Sequence, residues 1–360
     1  MNIIKEENIE ITNYGDKISK ELKVFYNPVM KLNRDISLLL IKSYFNEPIL
    51  FCDPMIATGI REIRFLKTIP SLFSHLTLGD ISSSAIEDAK KNFKNNEINF
   101  DNISFLNENA INTIASQYFH FIEIDPFGTP VPFLDVAFQR IKHNGILSVT
   151  ATDTASLCGT YPKKTLRRYG IEVKMTLFHE ELGLRNLISF CIKTAAKYDK
   201  KIEVMLSYSS DHYYKIFLKV TDNKKEAYED IRKLKYFSYN QKTQEIKLNK
   251  YKLSDEFFGP VYIGDLKNKE LLNKMISNLT IINDNKKITK KLESIKEEID
   301  IFAYYNPHKL QKSFKINSEM KFLEIFNKLE KKGFKVSKCH NNKLGIKSNC
   351  SYKDIIEILK

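Results

Sequence analysis

The chain has little that would mark a secreted, membrane-spanning or metal-stapled protein. Of its 360 residues five are cysteines (Cys52, Cys158, Cys191, Cys339, Cys350), an odd number with no CxxC pair. That speaks against a disulfide framework and against a sequence-local zinc site. No apolar run reaches the roughly 18 residues a membrane helix needs. The N-terminus, with Lys5, Glu6, Glu7 and Glu10, lacks an apolar signal core, so a cytoplasmic protein is expected. Tryptophan is absent, and collagen-like, coiled-coil and low-complexity classes are excluded. What is present is 42% hydrophobic residues, with 24 Phe and 18 Tyr, ample for packed cores, and the length suggests two domains.

The formal charge is +13, which suggests a polyanionic partner, but a Lys- and Asn-rich bias alone also raises it. Its distribution says more. Residues 1–220 carry 27 Lys and Arg against 25 acids, net +2, and residues 221–360 carry 30 against 19, net +11. The basic excess sits almost entirely in the last two fifths of the chain.

Up to residue 220, short apolar runs alternate with helical patterns, the signature of a parallel sheet with crossover helices. Ile49-Leu50-Phe51-Cys52 reads as a buried strand ending at Asp53, followed by a Thr58-Gly59 turn and a helix from about Ile60 to Lys67 that Pro70 closes. Leu76 to Gly79 gives a second strand ending at Asp80, with Ser82 or Ser83 capping the next helix. Residues 103–106 and 119–124 are further strands, the latter ending at Asp125. Phe133 to Lys142 reads as a helix closed by a left-handed Asn144-Gly145 cap, before a fifth strand over 146–150. Residues 203–209 and 212–220 form a hairpin-like pair. The expectation is an α/β, Rossmann-like class I methyltransferase sheet over residues 1–220, although other doubly wound folds share the pattern. Residues 221–267 read as a charged connector with short strands, Phe258-Gly259-Pro260 as a turn. Residues 268–360 read as a basic, smaller α+β, winged-helix-like domain whose last part is helix, two strands and helix.

In open parallel sheets, ligands bind at the carboxyl ends of the strands, where the strand order reverses. Asp53, Asp80 and Asp125 end three strands and would face one crevice. Gly59 lies six residues beyond Asp53 and allows close backbone approach before a helix. Asp80 follows Gly59 by 21 residues, near the ~20-residue offset at which an acid meets ribose hydroxyls. A full GxGxxG is missing, which disfavours a nicotinamide dinucleotide and leaves S-adenosylmethionine, a nucleoside without phosphate. The same residues would also serve as ordinary turn acids and a turn glycine.

The fourth strand runs into Asp125-Pro126-Phe127-Gly128. Methylating an exocyclic amine calls mainly for orientation, because the methyl sulfonium is already activated. A carboxylate and a proline carbonyl each accept one N–H, and an aromatic stacks on an extruded base. A plain Asp-Pro turn is the simpler alternative. No Pro-Cys loop exists for a covalent C5-pyrimidine mechanism. The seven histidines are dispersed, so no metal site is expected.

Six segments carry a closer likeness: FYNPVMKLNRDISLL from Phe25, IATGIREIR from Ile56, IDPFGTPVPFLD from Ile124, VTATDTASLCGTYP from Val149, AAKYDKKIEVMLSYSSDHYYKIF from Ala195 and GPVYIGDL from Gly259. Together they resemble the tRNA (guanine-26 N2)-dimethyltransferase family from about residue 20 to about 350. The resemblance implies a class I methyltransferase domain, a family-specific C-terminal domain that docks tRNA, and N2-methylation of a guanine between the D-stem and the anticodon stem. It makes Arg34 and Arg61 cofactor ligands beside Asp53 and Gly59, and Asp80 the ribose acid. Asn109-Ala110 becomes the adenine pair, where the family usually has Asp-Ala and where Glu108 competes for the role. Asp125 becomes the catalytic residue, with Pro126 and Phe127 shaping the guanine pocket and Phe25 a second aromatic wall. Many relatives carry cysteine pairs before the GPVYIGDL segment. Residues 221–258 have none here, so no zinc is expected and packing must hold that region. The rival readings are an amino-methyltransferase on rRNA or DNA and a tRNA-binding or fold-assisting protein with weak or no activity. tRNA is the expected partner, no membrane is involved, and nothing demands more than a monomer.

Overall fold

A computed structural model describes residues 2–13, 26–318 and 320–360. The chain opens with a hairpin, β1 (Asn2–Glu6) and β2 (Ile9–Asn13), and helix α1 (Lys31–Tyr44). Then come β3 (Ile49–Asp53), α2 (Ile60–Thr68), β4 (Phe73–Gly79), α3 (Ser83–Asn95), β5 (Ile103–Leu106), α4 (Ala110–Ala115), β6 (Phe119–Ile124), α5 (Val131–Arg140) and β7 (Ile141–Ala151). Helices α6 (Thr154–Leu157), α7 (Pro162–Tyr169) and α8 (His179–Ala196) lead to the antiparallel pair β8 (Lys200–Ser210) and β9 (Tyr213–Asp222). The seven strands order as β5-β4-β3-β6-β7-β9-β8, with β3 to β7 parallel and β9 antiparallel to β7. The order reverses between β3 and β6, which puts the crevice above those two strands.

Each face of the sheet buries an apolar layer. One layer joins α1, α2 and α3 to Phe51, Phe73 and Phe121, with Phe51 stacked on Phe121 at 5.4 Å and edge-on to Phe65 at 5.7 Å. The other gathers Leu134, Phe138, Leu184, Leu187 and Ile188 from α5 and α8 against Ile122, Leu147 and Val149. Ser82 caps α3 by accepting from the Ala85 amide, as the sequence suggested.

The next segment is α9 (Lys224–Lys233), β10 (Lys235–Tyr239), β11 (Ile246–Asn249) and β12 (Phe258–Val261), the strands forming a three-stranded sheet β11-β10-β12. Helices α10 (Lys269–Ser277) and α11 (Lys286–Glu297) follow, then α12 (Pro307–Phe314), α13 (Phe322–Lys331), hairpin β13 (Val336–Lys338) and β14 (Ile346–Ser348), and α14 (Tyr352–Leu359). The last five elements share an apolar cluster of Leu310, Ile325, Leu329, Ile346, Ile355 and Ile358. No helix among the described residues is long and apolar enough to cross a membrane.

Several expectations change. No left-handed cap closes the helix before the fifth strand: α5 ends at Arg140 and β7 begins at Ile141. Asn144, at φ 61°, and Gly145 lie within β7 where the register against β6 slips from Phe119↔Ile141 to Phe121↔Ile146, so the two residues form a bulge, as positive φ in a strand permits. Phe258-Gly259-Pro260 is not a turn but part of β12, which pairs with β10 through Phe237↔Phe258 and Lys235↔Val261, and Gly259 also exchanges backbone hydrogen bonds with Glu172 at 3.0 and 2.8 Å. Residues 221–267 contain a helix besides strands. The region packs on Phe178, Phe237, Tyr239, Phe302 and Tyr304, with Phe178 edge-on to Tyr239 at 5.5 Å and to Phe302 at 5.6 Å. Finally, Leu271, Leu272, Met275, Ile288, Leu292 and Ile295 of α10 and α11 belong to the apolar cluster of α1, so the core has no break at residue 268.

Candidate active site

The three strand-end acids converge as the topology requires. Asp53 ends β3, Asp80 follows β4 and Asp125 follows β6. Gly59 caps α2 with φ 72°, and a Cβ there would stand 2.6 Å from the Phe93 ring, so the turn between Asp53 and α2 admits only glycine.

Arg61, on the first turn of α2, is the hub. Its guanidinium donates to Asp125 Oδ2 at 2.5 Å and to Asn33 Oδ1 at 2.9 Å, and lies 3.5 Å from Glu123 and 3.9 Å from Asp53. Below it, Glu123 accepts from Ser148 Oγ at 3.0 Å and pairs with the buried Lys215, which also donates to Thr150 at 3.0 Å. Burial pushes Asp53 up to about 6, with Arg61 opposing the shift. Buried Glu62 is held well above the ordinary carboxylate range by burial and by the neighbouring Asp53. Burial also lowers Lys215, an effect that Glu123 opposes. Three carboxylates, those of Asp53, Glu123 and Asp125, thus gather around the guanidinium of Arg61, with Lys215 beneath Glu123. S-Adenosylmethionine carries a sulfonium and an ammonium, and carboxylates lining the crevice suit those positive groups.

On the nucleoside side, Asp80 accepts from the Ala57 amide at 3.1 Å and the Ser82 amide at 2.9 Å, which fixes its carboxylate at the crevice rim. Ile81 beside it is 79% exposed, an apolar surface suited to an adenine face. Asn107 Nδ2 donates to the backbone oxygens of Asp80 and Ile81 at 3.0 and 3.1 Å. Asn109 and Glu108 are exposed and Ala110 is buried at the start of α4; Asn109 caps that helix through Asn112 N at 2.9 Å.

The Asp125 loop is tethered. Gly128 N donates to Thr152 Oγ1 at 2.6 Å, and the Thr152 and Asp153 amides donate to Gly128 O at 2.9 and 3.2 Å. Thr129 Oγ1 and Tyr169 OH lie 2.8 Å apart, and Tyr169 donates to Asp153 Oδ1 at 2.7 Å. Arg168 holds the other Asp153 oxygen at 2.8 Å. Pro126 is buried under the loop, whereas Phe127 is 54% exposed.

Arg34 is buried and held by Glu6 of β1: Arg34 Nε donates at 2.9 Å, and Arg64 Nη1 reaches the same carboxylate at 2.8 Å. Its neighbour Asn33 is the residue that meets Arg61. Phe25 lies outside the described residues. Sequence reading missed Asn33, Glu123, Lys215, Asp153 and Tyr169. The NRD run around Asn33 and the TATD run ending at Asp153 were visible signals; Glu123 and Lys215 stand inside apolar or alternating strands and gave none.

A seven-stranded sheet of this order, with strand-end acids and a glycine-capped first helix at its crevice, defines a Rossmann-like methyltransferase dependent on S-adenosyl-L-methionine. A model of the N2,N2-dimethylguanosine tRNA methyltransferase family matches residues 2–360. The tRNA (guanine(26)-N(2))-dimethyltransferase of Pyrococcus furiosus is 36% identical over 362 residues, covering 94% of this chain and 92% of that protein. That of Methanobrevibacter smithii is 36% identical over 363 residues, covering 96% and 93%. The structure of Trm1 from Pyrococcus horikoshii with S-adenosyl-L-methionine superposes with a TM-score of 0.90 at 33% identity over 99% of both chains. The chain belongs to the N2,N2-dimethylguanosine tRNA methyltransferase family.

Proposed function

We propose that the protein acts in the cytoplasm on tRNA, methylating the exocyclic N2 of guanine 26 to give the monomethyl and dimethyl products. The observation that carries the reading is Asp125, at the end of β6 in a tethered Asp-Pro-Phe loop, set by a hydrogen bond from Arg61 at the sheet's crevice. Asp53, Gly59, Arg61, Asp80 and the Asn109-Ala110 pair would hold S-adenosyl-L-methionine, with Arg34 supporting the site from α1. Bound cofactor supplies a methyl group already activated on sulfonium. Asp125 Oδ accepts one N2–H, the Pro126 carbonyl accepts the other, and the nitrogen lone pair is thereby aimed in line. Asp125 takes the proton that the nitrogen sheds on alkylation. Phe127 flanks the extruded guanine, since a base inside the stack is out of reach. The basic last two fifths of the chain, including the module from α12 to α14, meets tRNA phosphates without reading sequence.

The test is mass spectrometry of nucleosides from a tRNA transcript treated with the purified protein. N2-methylguanosine and its dimethyl form are expected, and neither from a transcript with adenosine at position 26. Asp125→Ala should lose at least about a hundredfold in kcat, in keeping with a positioned proton acceptor, while keeping tRNA affinity. Full activity of that variant would remove Asp125 from the mechanism.

A further inference from the structure

The first 220 residues are nearly neutral overall, yet one segment of them is not. Helix α7 carries Lys163, Lys164, Arg167 and Arg168 within eight residues and no acid. Thr165 and Tyr169 face inward and are fully buried. Lys163 and Arg167, one helical turn apart, lie on the opposite face and are exposed. Arg168 is spent on Asp153. Among the described residues no ion pair engages Lys163, Lys164 or Arg167, a contrast with the paired lysines elsewhere on this domain such as Lys197 and Lys200. Two apolar side chains beside these charges are exposed, Tyr161 just before the helix at 56% and Leu166 within it at 50%.

The helix is also fixed relative to the chemistry. Tyr169, its last residue, bonds both to Thr129 of the Asp125 loop and to Asp153, while Lys193 from α8 donates to the terminal carbonyls of Tyr169 and Gly170 at 3.1 and 3.0 Å. An unneutralised basic face on a rigid helix, bonded to the catalytic loop itself, is arranged to hold a polyanion at the mouth of the active site. A base that must leave its stack turns its own backbone phosphates outward, and those are the anions nearest such a face.

We propose that helix α7 is a phosphate clamp for the acceptor nucleotide, with Lys163 and Arg167 gripping the tRNA backbone immediately beside the guanine to be methylated. This rests on the tRNA methyltransferase reading. The clamp holds the strand locally, whereas the basic C-terminal module holds the body of the tRNA. Tyr161 offers a surface for the neighbouring base or ribose exposed when the guanine is drawn out.

The experiment pairs K163A/R167A with a transcript in which the two phosphates flanking guanine 26 are neutral methylphosphonates. For the variant, KM for tRNA should rise about tenfold and the slope of log affinity against log salt should fall by about one to two, with cofactor affinity and melting temperature unchanged. For wild type, the methylphosphonate transcript should show a comparable loss. The two changes together should cost no more than either alone, because both remove the same contact. A variant with unaltered KM and salt slope overturns the clamp, and so do losses that multiply, which would place the helix on some other part of the tRNA. K163Q/R167Q, which keeps polar side chains, repeats the comparison if the alanine pair fails to fold. If wild-type protein methylates no unmodified transcript, the tRNA methyltransferase reading itself fails, an outcome distinct from either.

Discussion

Arg61 serves more carboxylates than one guanidinium has charge for. Asp125, Glu123 and Asp53 stand at 2.5, 3.5 and 3.9 Å, and Lys215 beneath Glu123 makes up part of the difference. The charge on Asp53 is conditional, because burial raises its carboxyl to about 6. Above that pH the carboxylate is charged and attracts the net positive cofactor; as pH falls through 6 it takes a proton and the attraction is lost. Affinity for S-adenosyl-L-methionine should therefore weaken by on the order of tenfold between pH 8 and pH 5. Calorimetry would show it, and Asp53→Asn should give the weaker value at both pH values. A flat profile for the wild type would sink this role for Asp53. Residues at this scale were legible where their backbone position is itself the signal: an acid ending a parallel strand, or a glycine before a helix. Lys215 was not, since a lysine in an alternating strand normally marks the solvent face, and only the depth of the crevice turns this one inward.

Among the elements, the loop carrying Asp125 depends on two hydrogen bonds that join the side chains of Thr129, Tyr169 and Asp153. Tyr169→Phe keeps the ring in its fully buried seat and deletes the hydroxyl. Stability should drop by about 1–2 kcal/mol in denaturant unfolding. kcat should fall severalfold while cofactor affinity stays, and an unchanged kcat would show that the loop holds its shape without the tether. The strands β3, β5 and β6 were readable to within a residue, because Pro and Asp punctuate them. Helix α8 gave no signal although it has 18 residues. It is buried on most sides, from Leu182 through Ile192, and a helix without a polar face has no periodic contrast to read. The Asn144-Gly145 pair misled for a different reason: a left-handed residue serves a helix cap and a strand bulge equally well, and the pairing with β6 decides which.

For the molecule as a whole, the C-terminal module is joined to the rest through buried charge. Lys347 of β14 pairs with Glu181 of α8 at 3.0 Å and with Glu298 at 2.9 Å, and donates to the Ile301 carbonyl at 2.9 Å. His340 and its own amide also meet Glu298 at 2.6 Å, and Tyr304 OH meets Glu180 at 2.7 Å. Breaking one partner of such a cluster strands the others without water. Lys347→Met should cost about 3–5 kcal/mol, read by denaturant unfolding, and should raise KM for tRNA more than it weakens cofactor binding. A loss below about 1 kcal/mol would mean the cluster holds nothing together. Composition alone pointed to a basic last two fifths, residues 221–360. It did not show that α10 and α11 complete the methyltransferase core, because their apolar stripes look the same whichever neighbour they cover.

That sharing has a consequence for synthesis on the ribosome. The seven-stranded sheet is complete once residue 222 has emerged, yet Leu271, Leu272, Met275, Ile288, Leu292 and Ile295, which share the apolar layer of α1, come later in the chain. At about 5–20 residues per second the nascent sheet waits on the order of 4–15 s with that layer uncovered. The apolar layer of the catalytic domain is thus closed only after residue 295 has been made, which ties the folding of the first 222 residues to the part of the chain that follows them.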